Sequence, residues 1–225
     1  MEGEAATNTD RTGLWSLVVP LKPLARAKSR LTQATGALLR PRLALAFAQD
    51  TVAAALACRA VRDVVVVTDD PVAAAALTEL GALVVPDRPG AGLNAALVHG
   101  ARAARDRRPA AAVAALNADL PALRPAELSR VFDFAAEFPR TFVADSAVVG
   151  TTFLSASAGV ELRPDFGGPS RARHLVSGAV EITSAGIDSV RRDVDTGDDL
   201  RAALALGVGP HTVGCLAADV PVGDR

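Results

Sequence analysis

Tyrosine is absent from this chain, Trp15 is its only tryptophan, and two cysteines and one methionine complete a sparse set of large or soft side chains. Any core must therefore be aliphatic, drawn from alanine, valine and leucine in a composition that is 50% hydrophobic and 22% charged. Cys58 and Cys215 do not form a Cys-x-x-Cys pair, so no zinc or dithiol motif is present. No Gly-x-x-x-x-Gly-Lys-Ser/Thr pattern occurs, and no Gly-x-Gly-x-x-Gly follows the first strand-like run. Both absences argue against a P-loop NTPase or a dinucleotide dehydrogenase. No apolar run reaches the roughly 18 residues of a membrane span. The opening "MEGEAATNTDRTG" is polar and acidic and lacks the apolar stretch of a secretory signal. A net charge of −1 sets the chain apart from general nucleic-acid binders. These absences describe a reduced, cytoplasmic, soluble protein with no membrane or nucleic-acid partner.

What is present is a rhythm of strand and helix. "WSLVVP" (Trp15 to Pro20) reads as a buried strand, and Pro41 to Cys58 as a helix with Pro41 in its first turn. The β-branched run Val64 to Val67 has the character of a central parallel strand covered on both faces. Pro71 to Leu80 reads as a helix, Ala82 to Asp87 as a strand, and "RPGAGLNAAL" as a turn entering a helix that continues to about Arg107. Ala110 to Pro121 reads as a strand and Pro125 to Phe138 as a helix. "TFVADS" and "GTTFLSA" have strand character, and "VEITSAG" and "SVRRDVDT" suggest further short strands. Asp198 to Leu206 reads as a helix with Thr196 as N-cap and Asp198 and Asp199 at the positive end of its dipole. The alternation implies an α/β fold with a mixed, mostly parallel central sheet. No repeat or long linker divides it. The expected organisation is a flexible tail over 1–13, one domain over 14–210, and a weakly structured tail over 211–225.

In open α/β sheets ligands bind beyond the carboxyl ends of the strands, and the charged residues collect there. The first strand runs into "LKPLARAKSR", which carries Lys22, Arg26, Lys28 and Arg30. Such a run is often only a solvated face, but it directly follows a buried strand, and Pro20 and Pro23 hold it out of a helix. The next strands end in Thr68-Asp69-Asp70 and in Asn117 and Asp119, and Asp193 and Asp195 lie late in the chain. Cations and carboxylates on one rim suit a phosphorylated ligand held with a divalent metal. Asp119 before Leu-Pro serves equally well as a turn cap. Asp193 and Asp195 alternate, so on a strand they would share a face and repel unless a cation lies between them. Asp69 and Asp70 read first as helix caps, and Asp50 as a solvated or capping side chain within its helix. "FGGPSRARH" is either a second anion cradle at a helix start, with Gly167, Gly168 and Ser170 close to a ligand and Arg171, Arg173 and His174 adding positive charge, or an ordinary Gly-Pro surface turn. Thr151 and Thr152 also serve as plain strand residues.

Six motifs occur in a characteristic order: "VVPLKPLARAKSRL", "GLNAAL", "NADLPAL", "FVADS…GTTFL", "FGGPSRARH" and "DVDTGDDL". From about Leu14 to Pro210 the chain resembles the 2-phospho-L-lactate and phosphoenolpyruvate guanylyltransferases of coenzyme F420 biosynthesis, within the MobA-like nucleotidyltransferases. The resemblance implies a Rossmann-like three-layer fold and attack of a substrate phosphate on the α-phosphorus of GTP, releasing pyrophosphate. It implies Lys22, Lys28 and Arg30 on the triphosphate, with Lys22, Lys28 and Asp119 as the catalytic set and Asn94 in the nucleotide pocket. Asp119, Asp193 and Asp195 would hold Mg2+, and Thr151, Gly167 and Ser170 would hold the phosphorylated acid.

Three positions depart from the commonest family pattern: Ala118 before Asp-Leu-Pro, the order Gly168–Pro169, and Gly197 after Asp-Val-Asp-Thr. None removes a charged group. Within the family, the alanine- and arginine-rich composition suggests a high-GC actinobacterium, where phosphoenolpyruvate rather than 2-phospho-L-lactate is the expected acceptor. A homodimer and transfer of the product to the next F420-pathway transferase are further expectations. A CTP-dependent enzyme on the same fold is the nearest rival. A non-catalytic nucleotide-binding module is disfavoured because all three acids are present.

Overall fold

β1 (Trp15–Pro20), β2 (Val61–Val67), β3 (Leu83–Val85) and β4 (Val113–Leu116) run parallel, with β1 between β2 and β4 and with β3 outside β2. β5 (Arg140–Ala144), β6 (Thr151–Ala156) and β7 (Val180–Glu181) complete a seven-stranded sheet of order β3-β2-β1-β4-β6-β5-β7. Only β6 is antiparallel to its neighbours, so the sheet is mixed and mostly parallel, as expected. The computed structural model describes residues 15–28, 31–88 and 90–219, apart from the side chains of residues 32–37. The expected N-terminal tail, like residues 220–225, lies outside the described residues.

Side-chain alternation along the strands makes two cores. Leu17, Val19, Val64 and Val66 face one way, against α1 (Thr32–Leu56), α2 (Pro71–Glu79) and, further along, α4 (Pro125–Ala135). Val18, Val65 and Val67 face the other way, against α3 (Leu93–Arg107). The valines of β2 from Val64 onward are each at most 1% exposed, and burying each contributes roughly 1.5–3 kcal/mol. α4 presents Leu128, Val131, Phe132 and Ala135 at helical spacing, all buried. The few aromatics are concentrated there: Phe132 packs at 5.2 Å from Trp15 and 5.3 Å from Phe153. α3 lies directly on the sheet because residue 100 is glycine: a Cβ there would stand 2.4 Å from Val18 Cγ1 and 2.7 Å from Val67 Cγ2. That close seat brings Leu93 and Asn94, at the start of α3, over the carboxyl rim.

The helices correct several expectations. α1 begins at Thr32 and passes through Pro41, which the sequence suggests as a helix start. An interior proline costs about 3 kcal/mol, but Leu39, Leu43 and Phe47 bury beside it in a third core with Val194 and Leu200. α5 (Ser170–Val176) begins directly after Pro169, as the cradle reading of "FGGPSRARH" has it, so that segment is more than a surface turn. "SVRRDVDT" forms no strand among the described residues: it contains part of α6 (Asp188–Arg191) and then irregular chain. α7 (Gly197–Leu206) is capped as expected: Thr196 Oγ1 accepts from Asp199 N at 3.2 Å, and Asp199 Oδ2 accepts from Thr196 N at 2.8 Å. The segment expected to be weakly structured forms α8 (Pro210–Ala217), which packs on α1. Its N–H groups at His211 and Thr212 donate to the buried Asp50 carboxylate at 3.0 and 2.9 Å. Asp50 is thus a cap, but for a helix some 160 residues further along the chain.

Candidate active site

The basic loop leaves β1 at Pro20 and forms a 3-10 turn, Leu24–Arg26, rather than a solvated α-helix. Leu24 is buried, and its N–H donates to Asp70 Oδ2 at 2.9 Å. The other Asp70 oxygen caps α2 through Val72 N and Ala73 N, as its position before Pro71 suggests. Arg40 reaches back from α1 and donates to the carbonyls of Ala27 at 2.5 Å and Ala25 at 2.9 Å. The loop is therefore pinned from two helices. Lys22 and Arg26 project from it, exposed, and neither side chain has a hydrogen-bond or ion-pair partner among the described residues. Lys28 turns inward in the left-handed region at φ +56°, a conformation few non-glycine residues adopt. Its ammonium donates to Asp119 and, at 2.8 Å, to Asp195. Arg30 lies outside the described residues.

The acids meet as expected, though by a different route. Asp119 follows β4 in a loop whose backbone is held at successive positions. Buried Thr51 of α1 donates to Phe47 O at 2.7 Å and accepts from Leu120 N at 3.0 Å, with Ala118 O 3.3 Å away. Val194 N donates to Asp119 O at 3.1 Å, and Gly209 N donates to Pro121 O at 2.9 Å. Asp193 and Asp195 are not on a strand, but the extended chain through buried Val194 still turns both toward Lys28 and Asp119. Burial, then the neighbouring Asp119 and Asp195 carboxylates, push the Asp193 carboxyl up to about 8 against the opposing pull of Lys28. Burial pulls the Lys28 ammonium down, yet Asp119 and Asp195 outweigh it and hold its pKa above the usual lysine value. One ammonium and three carboxyl groups thus share one site, and the crowding keeps the Asp193 carboxyl protonated.

Lys22, Arg26, Lys28, Asn117, Asp119 and Asp195 line one cleft of about 420 Å3, with Leu93 across from them. Asn117 Nδ2 donates to Thr151 O at 3.4 Å, placing the start of β6 beside this cleft. There the second set of expected site residues comes together. Ser170 Oγ donates to Thr151 Oγ1 at 2.9 Å, and His174 Nδ1 lies 2.9 Å from the same oxygen. His174 Nε2 accepts from Asp165 N at 3.1 Å, so Nδ1 carries the ring proton and Thr151 Oγ1 accepts twice. That assignment leaves the buried Thr151 hydroxyl proton without an acceptor among the described residues. Gly167 is exposed at φ +98°, in a conformation that favours glycine. Asn94 belongs to this wall but does not offer its amide to the cleft: Oδ1 accepts from Phe166 N at 2.8 Å and Nδ2 donates to Phe166 O at 3.2 Å.

The positive charge that the sequence suggests for "SRARH" is spent within the protein. Arg171 is bidentate to Glu181 at 2.8 and 2.9 Å, and Arg173 pairs with Asp165 and the Gly167 carbonyl. His174 is fully buried between Phe142 and Phe166; burial, with Arg140 and Arg173 outweighing Asp165, lowers its pKa to about 4. Thr51 and Arg40 had no local signal. A threonine inside a helix and an arginine before a proline acquire their roles only from partners distant in sequence.

Among the described residues no three carboxylate, imidazole or thiolate side chains enclose an open metal position. Asp119 and Asp195 hold the Lys28 ammonium instead, with Asp193 close by. Asp119 Oδ1 is buried without a hydrogen-bond partner, an acceptor in need of a cation. An all-oxygen set of this kind suits a hard divalent ion, so the residues fit one.

A family model described as "Guanylyl transferase CofC like" matches residues 15–217. Proteins named phosphoenolpyruvate guanylyltransferase from Streptomyces avermitilis and Thermomonospora curvata are 64% and 60% identical to the chain, over 94% and 96% of its length and 99% and 93% of theirs. Among solved structures, a nucleotidyl transferase from Methanothermobacter has a TM-score of 0.62 at 22% identity, covering 86% of this chain and 97% of that one. The structure of 4-diphosphocytidyl-2C-methyl-D-erythritol synthase gives 0.59 at 14% identity, covering 86% and 98%. At these identities the structural likeness establishes the nucleotidyltransferase fold alone.

Proposed function

The chain belongs to the CofC-like guanylyl transferase family, and on that premise we propose that its cleft joins GMP from GTP to the phosphate of phosphoenolpyruvate. A phosphate oxygen of the acceptor attacks the α-phosphorus of GTP and the bond to the β-phosphate bridging oxygen breaks. Pyrophosphate leaves, and enolpyruvyl-diphospho-5'-guanosine remains for the coenzyme F420 pathway. The observation that carries this reading is the juxtaposition in one cleft of Lys22 and Arg26, cations without a partner among the described residues, with the acids Asp119 and Asp195.

The acceptor phosphate is already largely ionised at neutral pH, its second pKa being about 6. No general base is required, in keeping with a His174 that is buried, neutral and committed at both ring nitrogens. Positioning and charge neutralisation carry this chemistry. Lys22, Lys28 and Arg30 hold the triphosphate oxygens. Asp119, Asp193 and Asp195 hold Mg2+, which supplies neutralisation of charge on the reacting phosphates. The Thr151 hydroxyl and Ser170, with the Gly167 backbone, receive the acceptor, while Asn94 shapes the nucleotide side by fixing Phe166. No helix among the described residues is long and apolar enough to cross a membrane. A cytoplasmic enzyme, working as a homodimer and passing its product to the next transferase, completes the proposal.

The test is mass spectrometry of products from GTP, Mg2+ and either phosphoenolpyruvate or 2-phospho-L-lactate, coupled to the next enzyme if the product is labile, with CTP run in parallel. The enolpyruvyl product with GTP is expected. Preferential turnover of 2-phospho-L-lactate corrects the acceptor, and a strong preference for CTP overturns the reading.

A further inference from the structure

Lys28 is the residue on which the acidic side of the cleft converges. Its ammonium donates to both Asp119 and Asp195, the acids assigned above to the metal. A cation cannot be ligated by the oxygens that Lys28 holds while the ammonium stays among them, because the two positive charges would repel at close range. The backbone around Lys28 is secured: Arg40 grips the Ala27 carbonyl before it, and Leu31 N donates to the Lys28 carbonyl at 3.0 Å. Any exchange is therefore a swing of the long lysine side chain rather than a movement of the loop. The left-handed φ of +56° at this residue aims that side chain inward at a conformational cost. Lys22 and Arg26 line the same cleft without partners among the described residues, so a triphosphate held by them would place strong negative charge within reach of Lys28.

We propose that Lys28 occupies the cation's place in the free enzyme, linking Asp119 to Asp195, and gives it up for the triphosphate when nucleotide and divalent metal enter together. The inference rests on the metal reading given above. It makes Lys28 an exchangeable counter-ion, which binds the acids in one state and the phosphates in the other. The free enzyme then takes up metal poorly, and nucleotide improves metal binding without touching the carboxylates itself. An inert ammonium also keeps the repelling acids folded together between turnovers.

The experiment is titration of the full chain with Mn2+, followed by electron paramagnetic resonance of the free ion, with and without a GTP analogue whose α–β bridge cannot be cleaved. Wild type is expected to bind Mn2+ at least about tenfold more tightly with the analogue than without it. Lys28→Met is expected to bind Mn2+ without nucleotide about tenfold or more tighter than wild type, and to gain much less from the analogue. Lys28→Gln, and the rise in melting temperature on adding Mn2+, provide the same comparison should the methionine variant fold poorly. Equal or weaker nucleotide-free Mn2+ binding in both Lys28 variants would overturn the exchange. Asp119→Asn in the Lys28→Met background separates the two readings. Loss of the tight Mn2+ site there supports the metal assignment, and its retention overturns the assignment together with this proposal.

Discussion

Two walls of the site are built on opposite principles: one lines the cleft, and the other is a largely buried cluster beside it. On the wall of Lys28, Asp119, Asp193 and Asp195, charge is incompletely compensated: Asp119 Oδ1 is buried without a partner, and two cations on the adjoining loop have none among the described residues. On the wall of Asn94, Thr151, Ser170 and His174, polar groups are paired and cations are neutralised within the protein. Each wall also keeps one buried group uncharged, in opposite senses: Asp193 retains a proton to about 8, whereas His174 resists one until about 4. An unsatisfied wall is prepared to bind charged phosphates and metal. A satisfied wall gives up little when a ligand arrives and serves to hold shape and orientation.

That contrast is broken most directly at Asp119. Asp119→Asn should lower kcat/KM by about a thousandfold or more, since a metal ligand acting on transition-state charge is lost, while circular dichroism and melting temperature stay near wild type. Near-normal turnover would remove Asp119 from the metal site. Thr51 tests whether the charged wall depends on its support. Thr51→Val should lower kcat about tenfold and raise the metal concentration for half-maximal rate, with Thr51→Ser restoring both. A variant that loses stability but keeps its metal dependence would make Thr51 a packing residue only.

On the paired wall the effects are smaller. Ser170→Ala should raise KM for phosphoenolpyruvate several-fold and leave KM for GTP within about twofold, as a single hydrogen bond contributes about 1 kcal/mol. A change confined to GTP would assign Ser170 to the other substrate. The effect least felt in turnover is on stability and concerns pH. The unfolded chain protonates His174 below about 6.5, the folded chain only below about 4. Between those values the unfolded state binds more protons, so this contribution is full above 6.5 and is lost as pH falls toward 4. It amounts to at most about 3 kcal/mol. Chemical denaturation of wild type and His174→Gln at pH 7.5 and 5 should show a smaller loss of stability on acidification in the variant. Parallel losses would mean that His174 titrates normally.

Legibility from sequence followed the range of the interaction. The valine run of β2, the Asp70 and Thr196 caps, and the basic loop after β1 were all readable, because each depends on neighbours within a few residues. The segment after Arg191 shows where local reading fails. Its alternation suggests that Asp193 and Asp195 share a face of a strand, but no strand partners it among the described residues; Val194, buried and bonded to the Asp119 carbonyl, lies between them instead. α1 carried a misleading proline because the apolar face that retains the helix around Pro41 packs on residues 194–203. Arg171 and Arg173 appeared to be free charge only because Glu181 and Asp165 were not yet known to meet them.

By itself the sequence determined the order of strands and helices from β1 to β6, the aliphatic core and the identity of the charged groups at the strand ends, since periodicity and residue chemistry are local properties. The tertiary structure alone decided which of those groups remain unpaired. Whether a lysine is a counter-ion or a free cation depends on which acids lie within about 3 Å of it, and for Lys28 those acids come from residues 119 and 195.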